Sequence, residues 1–392
     1  MQYRKHETMA LKIIQILQKP QLRGAEIFAC QLSEHLRQQG HEVLVVTLFK
    51  GDADLPFYGK IVHLGRAPAQ RFYDRKAWRE LGLIVNEFNP DIVQANAADT
   101  LKYAVSSKLF YGWKAPIVFR NANKMGDFID SKLKWYLNRF YLSKVDYVVS
   151  VSEQCRLDFK KTFNFPDHRL TTVEIGVEKK RTGKVPRDLE KIFRKGRVLT
   201  HIGGFVPEKN HQGLLRIFSK VSRDFPDLQL ILIGKGKLQG ETWEQAKELG
   251  LNENIHFLDY RQDVLNILTH STAFVMPSLI EGLPAVILEA MYCQTPVITY
   301  QVGGIGEVVK SGDTGWLLEK NDEAGFVAAL EEVLKNGEEA RKRASKAKQL
   351  VNNKFMNEQI ARRFTGAYHQ VQKLRNPKLV QETDKQEMTQ VQ

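Results

Sequence analysis

Residues 279–290 read Leu-Ile-Glu-Gly-Leu-Pro-Ala-Val-Ile-Leu-Glu-Ala and place two carboxylates, Glu281 and Glu289, on either side of a proline. Pro284 suits the first position of a helix, where its missing N–H costs no hydrogen bond. Ala285 and Val286 then offer free backbone N–H groups, and the helix dipole adds positive potential. Together these hold a phosphate without any basic side chain. Glu281 precedes that helix start, and Glu289 lies about two turns inside it. A carboxylate accepts hydrogen bonds from paired hydroxyls, so a phosphate site with an acceptor on each side describes a sugar nucleotide. An ordinary capped helix with a solvated face carries the same two glutamates, and these twelve residues alone do not separate the two readings.

The elements around this segment alternate. Residues 12–17 (KIIQIL) predict a strand, 25–39 a helix closed by Gly40, and 42–48 a second strand, which together make a βαβ unit. Strands at 61–64, 91–94, 117–120 and 147–151 continue the series, with helices at 75–88, 97–110 and 132–143, and Ser152 is placed to cap the helix that follows. Residues 176–196 are rich in Lys, Arg, Gly and Pro and lack a clean period up to about Leu189, which marks a linker. A second series follows, with strands at 198–202, 228–233, 255–258, 273–276 and 297–300 and a last helix at 356–374. Strands alternating with helices imply parallel sheets covered on both faces. The expected fold class is α/β, two doubly wound parallel-sheet domains facing a central cleft, where the strand carboxyl ends bind ligands. The expected boundaries are 1–180, a linker at 181–196, 197–355, and a disordered polar tail at 376–392.

Composition narrows the class. A chain of 392 residues favours two domains. No apolar run approaches the roughly 18 residues of a membrane helix. Residues 1–10 are polar and carry no secretory apolar core, and Met9 offers an alternative start. Cys30, Cys155 and Cys293 lie far apart with no CxxC, which argues against a disulfide framework or structural zinc and fits a reducing, cytoplasmic compartment. The net charge of +13 is uneven: residues 1–200 carry 35 Lys and Arg against 21 Asp and Glu, and residues 201–392 carry 23 against 24. A basic half attracts nucleic acid, an anionic lipid surface or a phosphorylated acceptor, or is simply a solvated basic surface. Within it, residues 132–144 (KLKWYLNRFYLSK) mix cations with Trp135, Tyr136, Phe140 and Tyr141. That pattern fits a helix lying on an anionic membrane and equally a buried helix with a solvated face. The basic half favours contact with a lipid-linked acceptor or an anionic bilayer.

The spacing Glu281-x7-Glu289 resembles the E-x7-E segment of retaining glycosyltransferases of family GT4, which have the GT-B fold. Gly203-Gly204-Phe205-Val206-Pro207-Glu208-Lys209 is similar to that family's G-R-L-V-P-E-K segment, and Leu232-Ile233-Gly234-Lys235-Gly236 to its IGxG turn. Val302-Gly303-Gly304-Ile305-Gly306-Glu307 resembles its VGGxxE loop, Thr314-Gly315-Trp316-Leu317-Leu318 its TGxLL strand, and Gly24-Ala25-Glu26 the end of its N-terminal GGAE loop. The pieces fall in family order over about residues 10–375.

The resemblance implies an acceptor-binding N-terminal domain, completed by the helix at about 356–375, and a nucleotide-sugar-binding C-terminal domain. It implies catalytic roles for Lys209 and Glu281. Lys209 pairs with the diphosphate and stabilises the charge on the leaving nucleotide, Glu281 binds hydroxyls of the donor sugar, and Glu289 binds the ribose diol. Gly204, Gly234, Gly282, Leu283, Pro284, Ala285, Gly303 and Gly304 complete the donor site, and the main chain at Tyr260 and Arg261 reads the base. Arg23 and Gly24 face the diphosphate and the acceptor. No cofactor and no metal is implied, and no glycosidase-like carboxylate pair. The expected activity is retaining transfer of a hexose-type sugar from a nucleotide-diphosphate sugar to a glycan or lipid-linked acceptor in bacterial lipopolysaccharide or surface polysaccharide synthesis, on the cytoplasmic face of the inner membrane.

Three positions depart from the family. Gly204 stands where an Arg is usual, and Arg23 stands where the first Gly of the N-terminal loop is usual. The stretch Phe119-Arg120-Asn121-Ala122-Asn123 lacks the common His, leaving Asn121 or Asn123 for its place. Asp52-Ala53-Asp54 is a DxD in a loop far from the donor residues and reads as surface. Gly234-Lys235-Gly236 lacks the third Gly of a dinucleotide site, and the ten histidines show no ligand spacing. The rival readings are a sugar-nucleotide 2-epimerase of the same fold, a catalytically silent sugar-nucleotide-binding relative, and a nucleic-acid-binding protein, for which no motif is present.

Overall fold

The computed structural model describes residues 10–376. Met9 and the expected tail from 377 onward lie outside the described residues. The chain divides into two compact units. The first holds the described residues up to Val151, Arg156–Val173 and the chain from Asn357; the second holds Ser152–Cys155 and Glu174–Met356.

In the first unit the elements run β1 (Lys12–Leu17), α1 (Gly24–Gln38), β2 (Glu42–Phe49), β3 (Ile61–Arg66), α2 (Arg75–Phe88), β4 (Ile92–Ala95), α3 (Ala98–Tyr111), β5 (Ile117–Asn121), α4 (Lys132–Leu142), β6 (Tyr147–Ser150), α5 (Glu153–Phe163, whose first turn counts with the second unit) and β7 (Leu170–Thr172). The sheet is parallel in the order β3-β2-β1-β4-β5-β6-β7. Its strands are near-continuous apolar runs because both faces are covered. Asp74 accepts from the Ala77 N–H to start α2, and Asn89, in the left-handed region at φ 49°, closes it ahead of Pro90. Strand β7 has no counterpart in the sequence reading, since three residues are too few to show a period.

The second unit contains α6 (Glu190–Lys195), β8 (Val198–Ile202), α7 (His211–Val221), β9 (Gln229–Ile233), α8 (Gln239–Glu248), β10 (Ile255–Leu258), α9 (Val264–His270), β11 (Ala273–Met276), α10 (Ala285–Tyr292), β12 (Val297–Tyr300), α11 (Ile305–Val308), β13 (Trp316–Leu318), α12 (Glu323–Lys335) and α13 (Gly337–Lys354). Its parallel sheet runs β10-β9-β8-β11-β12-β13. This is the doubly wound order with its reversal between β8 and β11, the point where such sheets open a ligand crevice. The stretch expected as a linker, 181–196, includes α6, and Leu189 just before it is buried against Val198, Ile231 and Ile267 of this unit.

The last helix, α14 (Asn357–Arg375), packs on the first unit. A closed ring of hydrogen bonds fixes it there. Gln15 donates to the Tyr368 hydroxyl (3.2 Å), which donates to Gln94 (2.7 Å); Gln94 donates to Asn96 (3.0 Å), and Asn96 donates back to Gln15 (2.9 Å). All four are buried, and such a ring satisfies polar groups that would otherwise oppose burial. Nearby, His41 is hydrogen-bonded to the Leu11 N–H and to the Thr365 hydroxyl.

Candidate donor site on the second unit

The loops after β8, β9, β10, β11 and β12, with helix α10, carry every donor-side residue expected from the sequence. They are stitched edge to edge. Gly203 N–H donates to the Ile233 carbonyl (2.9 Å), Phe205 N–H to Lys235 (3.1 Å), and Gly234 N–H to Leu258 (3.0 Å). The stitching leaves no room for side chains at two points. A Cβ on Gly234 would lie 2.2 Å from the Gly203 carbonyl oxygen. One on Gly303, whose φ is +54°, would lie 2.0 Å from the Glu281 carbonyl oxygen. Gly304 donates its N–H to the Gly282 carbonyl, so the glycine pair props the segment that carries Glu281.

Lys209 ends a short 3-10 turn, Pro207–Lys209. Two bonds lash this turn to the chain after β11. The Leu279 N–H donates to the Glu208 carbonyl (2.7 Å), and the Asn210 side chain donates to the Pro277 carbonyl (3.1 Å). At the sheet's reversal point the Lys209 ammonium therefore donates to the Glu281 carboxylate as a largely buried ion pair. The two residues lie 72 positions apart in the sequence.

Behind this pair lie two histidines that sequence reasoning passed over. His201 donates from Nδ1 to the Val275 carbonyl (2.8 Å), and His211 stacks on Phe205. Their rings meet edge to face, 4.7 Å between centroids. Burial holds His201 down at about 4 and His211 at about 2, and the nearby Lys209 charge adds to both shifts. Both are neutral at physiological pH, and lone histidines at no ligand spacing gave no signal for this role.

Pro284 stands one residue earlier than expected. It is the N-cap of α10, extended at ψ 130°, and Ala285 is the first helical residue. A proline has no N–H to leave unpaired in either place. The N–H groups of Ala285 and Val286 engage no partner among the described residues. Glu289 is half-buried one turn further on, and its carboxylate makes no hydrogen bond or ion pair among the described residues. Burial pushes it up to about 7, with the Lys180 charge pulling the other way. Leu283 is buried and Gly282 closes against Gly304.

At Gly204 an added Cβ would lie 3.2 Å from the Lys235 carbonyl oxygen, a tight contact that the backbone must relieve by a few tenths of an ångström. Tyr260 is exposed, whereas both forks of the Arg261 guanidinium are taken by Asp188 and Asp263. Glu307 accepts hydrogen bonds from the Glu153 and Gln154 N–H groups (3.0 and 2.9 Å), and Ser152 caps the same turn through the Cys155 N–H.

Four expected residues lie on the first unit. Arg23 is the exposed N-cap position of α1 without a side-chain cap, and Gly24 opens the helix with open space around it. Asn121 is buried and donates to the Ser150 hydroxyl (3.2 Å), while Asn123 is exposed. The Asp52-Ala53-Asp54 loop is largely exposed. All three cysteines are buried. Among the described residues no cluster of His, Cys, Asp or Glu is arranged to hold a metal ion, and no helix is long and apolar enough to cross a membrane.

Known proteins are similar to this chain in sequence and in architecture. Residues 187–350 match the family Glycosyl transferases group 1, and residues 22–181 match Glycosyltransferase Family 4. The chain is 27% identical to the N-acetyl-alpha-D-glucosaminyl L-malate synthase of Bacillus anthracis over 90% of this chain and 95% of that one. It is 32% identical to the UDP-Gal:alpha-D-GlcNAc-diphosphoundecaprenol alpha-1,3-galactosyltransferase of Escherichia coli over 35% of this chain and 36% of that one. Among solved structures, Anabaena HepE in complex with UDP and glucose superposes with a TM-score of 0.78 at 18% identity, covering 91% of this chain and 98% of that one. Two parallel-sheet units, family matches that together span most of the sequence, and Lys209 meeting Glu281 where the second sheet reverses lead to one conclusion: the chain belongs to the GT4-type glycosyltransferases of the GT-B fold, enzymes that act on sugar nucleotides.

Proposed function

We propose that the protein transfers a hexose-type sugar from a nucleotide-diphosphate sugar, with retention at the anomeric carbon, to a glycan or lipid-linked acceptor in bacterial lipopolysaccharide or related surface polysaccharide synthesis. The observation that carries this reading is the Lys209–Glu281 ion pair beside two unengaged N–H groups of α10 and the unpartnered carboxylate of Glu289. The diphosphate sits at the start of α10 and competes with Glu281 for Lys209. Glu281 turns to the sugar hydroxyls, Glu289 takes the ribose diol, and the main chain at Tyr260 and Arg261 reads the base. Gly303 and Gly304 let the backbone approach the donor. As the bond from the anomeric carbon to phosphate oxygen breaks, Lys209 stabilises the charge on the departing diphosphate. The acceptor hydroxyl bonds to the same face of that carbon and gives its proton to the departing phosphate oxygen. Arg23, Gly24 and Asn123 serve the acceptor side. No metal takes part, so transfer persists in EDTA.

Names among the relatives support a uridine nucleotide. HepE was solved with UDP, and the Escherichia coli galactosyltransferase is named for UDP-Gal.

Contact with an anionic membrane rests on α4. Its inner side packs Trp135, Tyr141 and Leu142 on the core. The other side presents Leu133, Tyr136, Leu137 and Phe140 at 79%, 64%, 46% and 50% exposure, an exposed apolar stripe at helical spacing. Lys132, Lys134, Arg139 and Lys144 lie around it, the charge set that suits an anionic lipid surface. Vesicles containing phosphatidylglycerol should sediment the wild type but not Leu137→Glu/Phe140→Glu; equal sedimentation of both removes α4 from the reading.

The donor assignment is tested by thermal shift without metal, using UDP, GDP, ADP and CMP and their sugar conjugates. One nucleoside diphosphate should raise the melting temperature, and one of its sugar conjugates should raise it further. No response to any of them sinks the site.

A further inference from the structure

The second unit has a cavity of about 810 Å³ at the other end of its sheet. Ser271 and Pro296, which line it, lie just before β11 and β12, so it opens at the amino ends of strands whose carboxyl ends carry the donor loops. Its lining holds four cations, Lys180, Arg181, Arg341 and Lys348, and no carboxylate. None of the four makes a side-chain hydrogen bond or ion pair among the described residues. Several other cations of the unit are paired. Lys346, on the same helix as Arg341 and Lys348, pairs with Asp313, Arg343 pairs with Glu332 and Glu339, and Arg216 pairs with Glu323.

The cations come from separate parts of the chain. Arg341 and Lys348 stand two turns apart on α13, and Lys348 is half-buried. Lys180 lies on the segment before α6, where its carbonyl accepts from the Tyr292 hydroxyl (2.9 Å) at the end of α10. Like charges gathered on a concave wall repel one another and focus a positive field into the cavity, and a ligand of opposite charge relieves both effects. The volume suits a small metabolite.

We propose that this cavity binds a phosphorylated small molecule carrying at least two negative charges, at a site separate from the sugar-nucleotide loops. Arg341 supplies a planar fork for phosphate oxygens, and the lysines supply point charges.

Calorimetry with inorganic pyrophosphate tests this. In a Lys209→Ala background, where the donor loops have lost their cation, pyrophosphate should bind with one site per chain. Adding Arg341→Ala and Lys348→Ala should weaken that binding at least tenfold, and Lys180→Glu should do the same alone. Unchanged binding in both variants overturns the proposal. If Lys209→Ala does not fold, the same comparison is made in the wild-type background with UDP in excess. Vesicles of phosphatidylglycerol should leave pyrophosphate bound, and displacement by them overturns the assignment to a soluble phosphate.

Discussion

The two ends of the second unit's sheet treat charge in opposite ways. At the carboxyl ends of the strands, Lys209 is neutralised by Glu281 within the chain. At the amino ends of β11 and β12, Lys180, Arg181, Arg341 and Lys348 face a cavity lined by no carboxylate. Helix α10 runs between them and carries Glu289, which feels burial from one side and Lys180 from the other. The difference teaches how a site can be poised. A largely buried cation needs a partner at all times, because an unpaired charge out of water is costly. Solvated cations at a cavity can wait for a ligand without one.

Substitutions at the carboxyl end should abolish transfer and leave the pyrophosphate response of the amino end intact. Lys209→Ala carries the largest expected effect, a loss of roughly 10²–10³-fold in kcat, the usual scale for a group that stabilises a developing anion. It also strands Glu281, so the melting temperature falls. The double variant with Glu281→Ala should recover stability without recovering activity, which separates pairing from catalysis. Near-wild-type turnover in Lys209→Ala would refute the site.

Gly303→Ala comes next. Its added methyl collides with the Glu281 carbonyl in left-handed backbone, costing about 2–3 kcal/mol by strain and overpacking. Urea unfolding measures this, and an unchanged midpoint would mean the loop has a second conformation.

Glu289 gives a smaller and pH-dependent effect. Its carboxyl is raised from 4.5 to about 7 in the fold. The unliganded fold thus binds an extra proton relative to the unfolded chain in that window, and this group's contribution to stability falls as pH rises through it. A diol donates best to the ionised carboxylate, so nucleotide affinity should rise about tenfold from about pH 6 to about pH 8. The rise should vanish in Glu289→Gln, and a rise of equal size there would assign the proton elsewhere.

The smallest effect is a gain. Gly204→Arg needs the Lys235 carbonyl, 3.2 Å from the added Cβ, to give by a few tenths of an ångström, and it adds a cation to the proposed donor site. It should tighten nucleotide binding by about 1 kcal/mol, measured by titration with UDP.

Much of this was legible in the residues. Apolar runs such as 230–233 marked buried parallel strands, and most helix starts fell within a residue or two because caps and glycines are local signals. The loops proposed to hold the donor carry local signals for a related reason: close backbone approach demands Gly234 and Gly303, and a helix start without a basic side chain shows in the sequence around Pro284. Strand β7 was too short to show a period, and the helix inside the expected linker lacked a long one. The two buried histidines showed no spacing because their role is packing and exclusion of charge rather than ligation. The four cations of the cavity come from 180–181, 341 and 348, and sequence distance hides such a set.

The sequence alone determined the two-sheet α/β architecture and the family. Those properties rest on periodicity, backbone freedom and local capping, which neighbouring residues fix together. Only the tertiary structure decided that Lys209 is already paired with Glu281, that Glu289 is not paired, and which cations stand without partners. Pairing depends on which side chains two distant loops bring within hydrogen-bond reach, and the crossing of β8 and β11 at the sheet's reversal sets that distance.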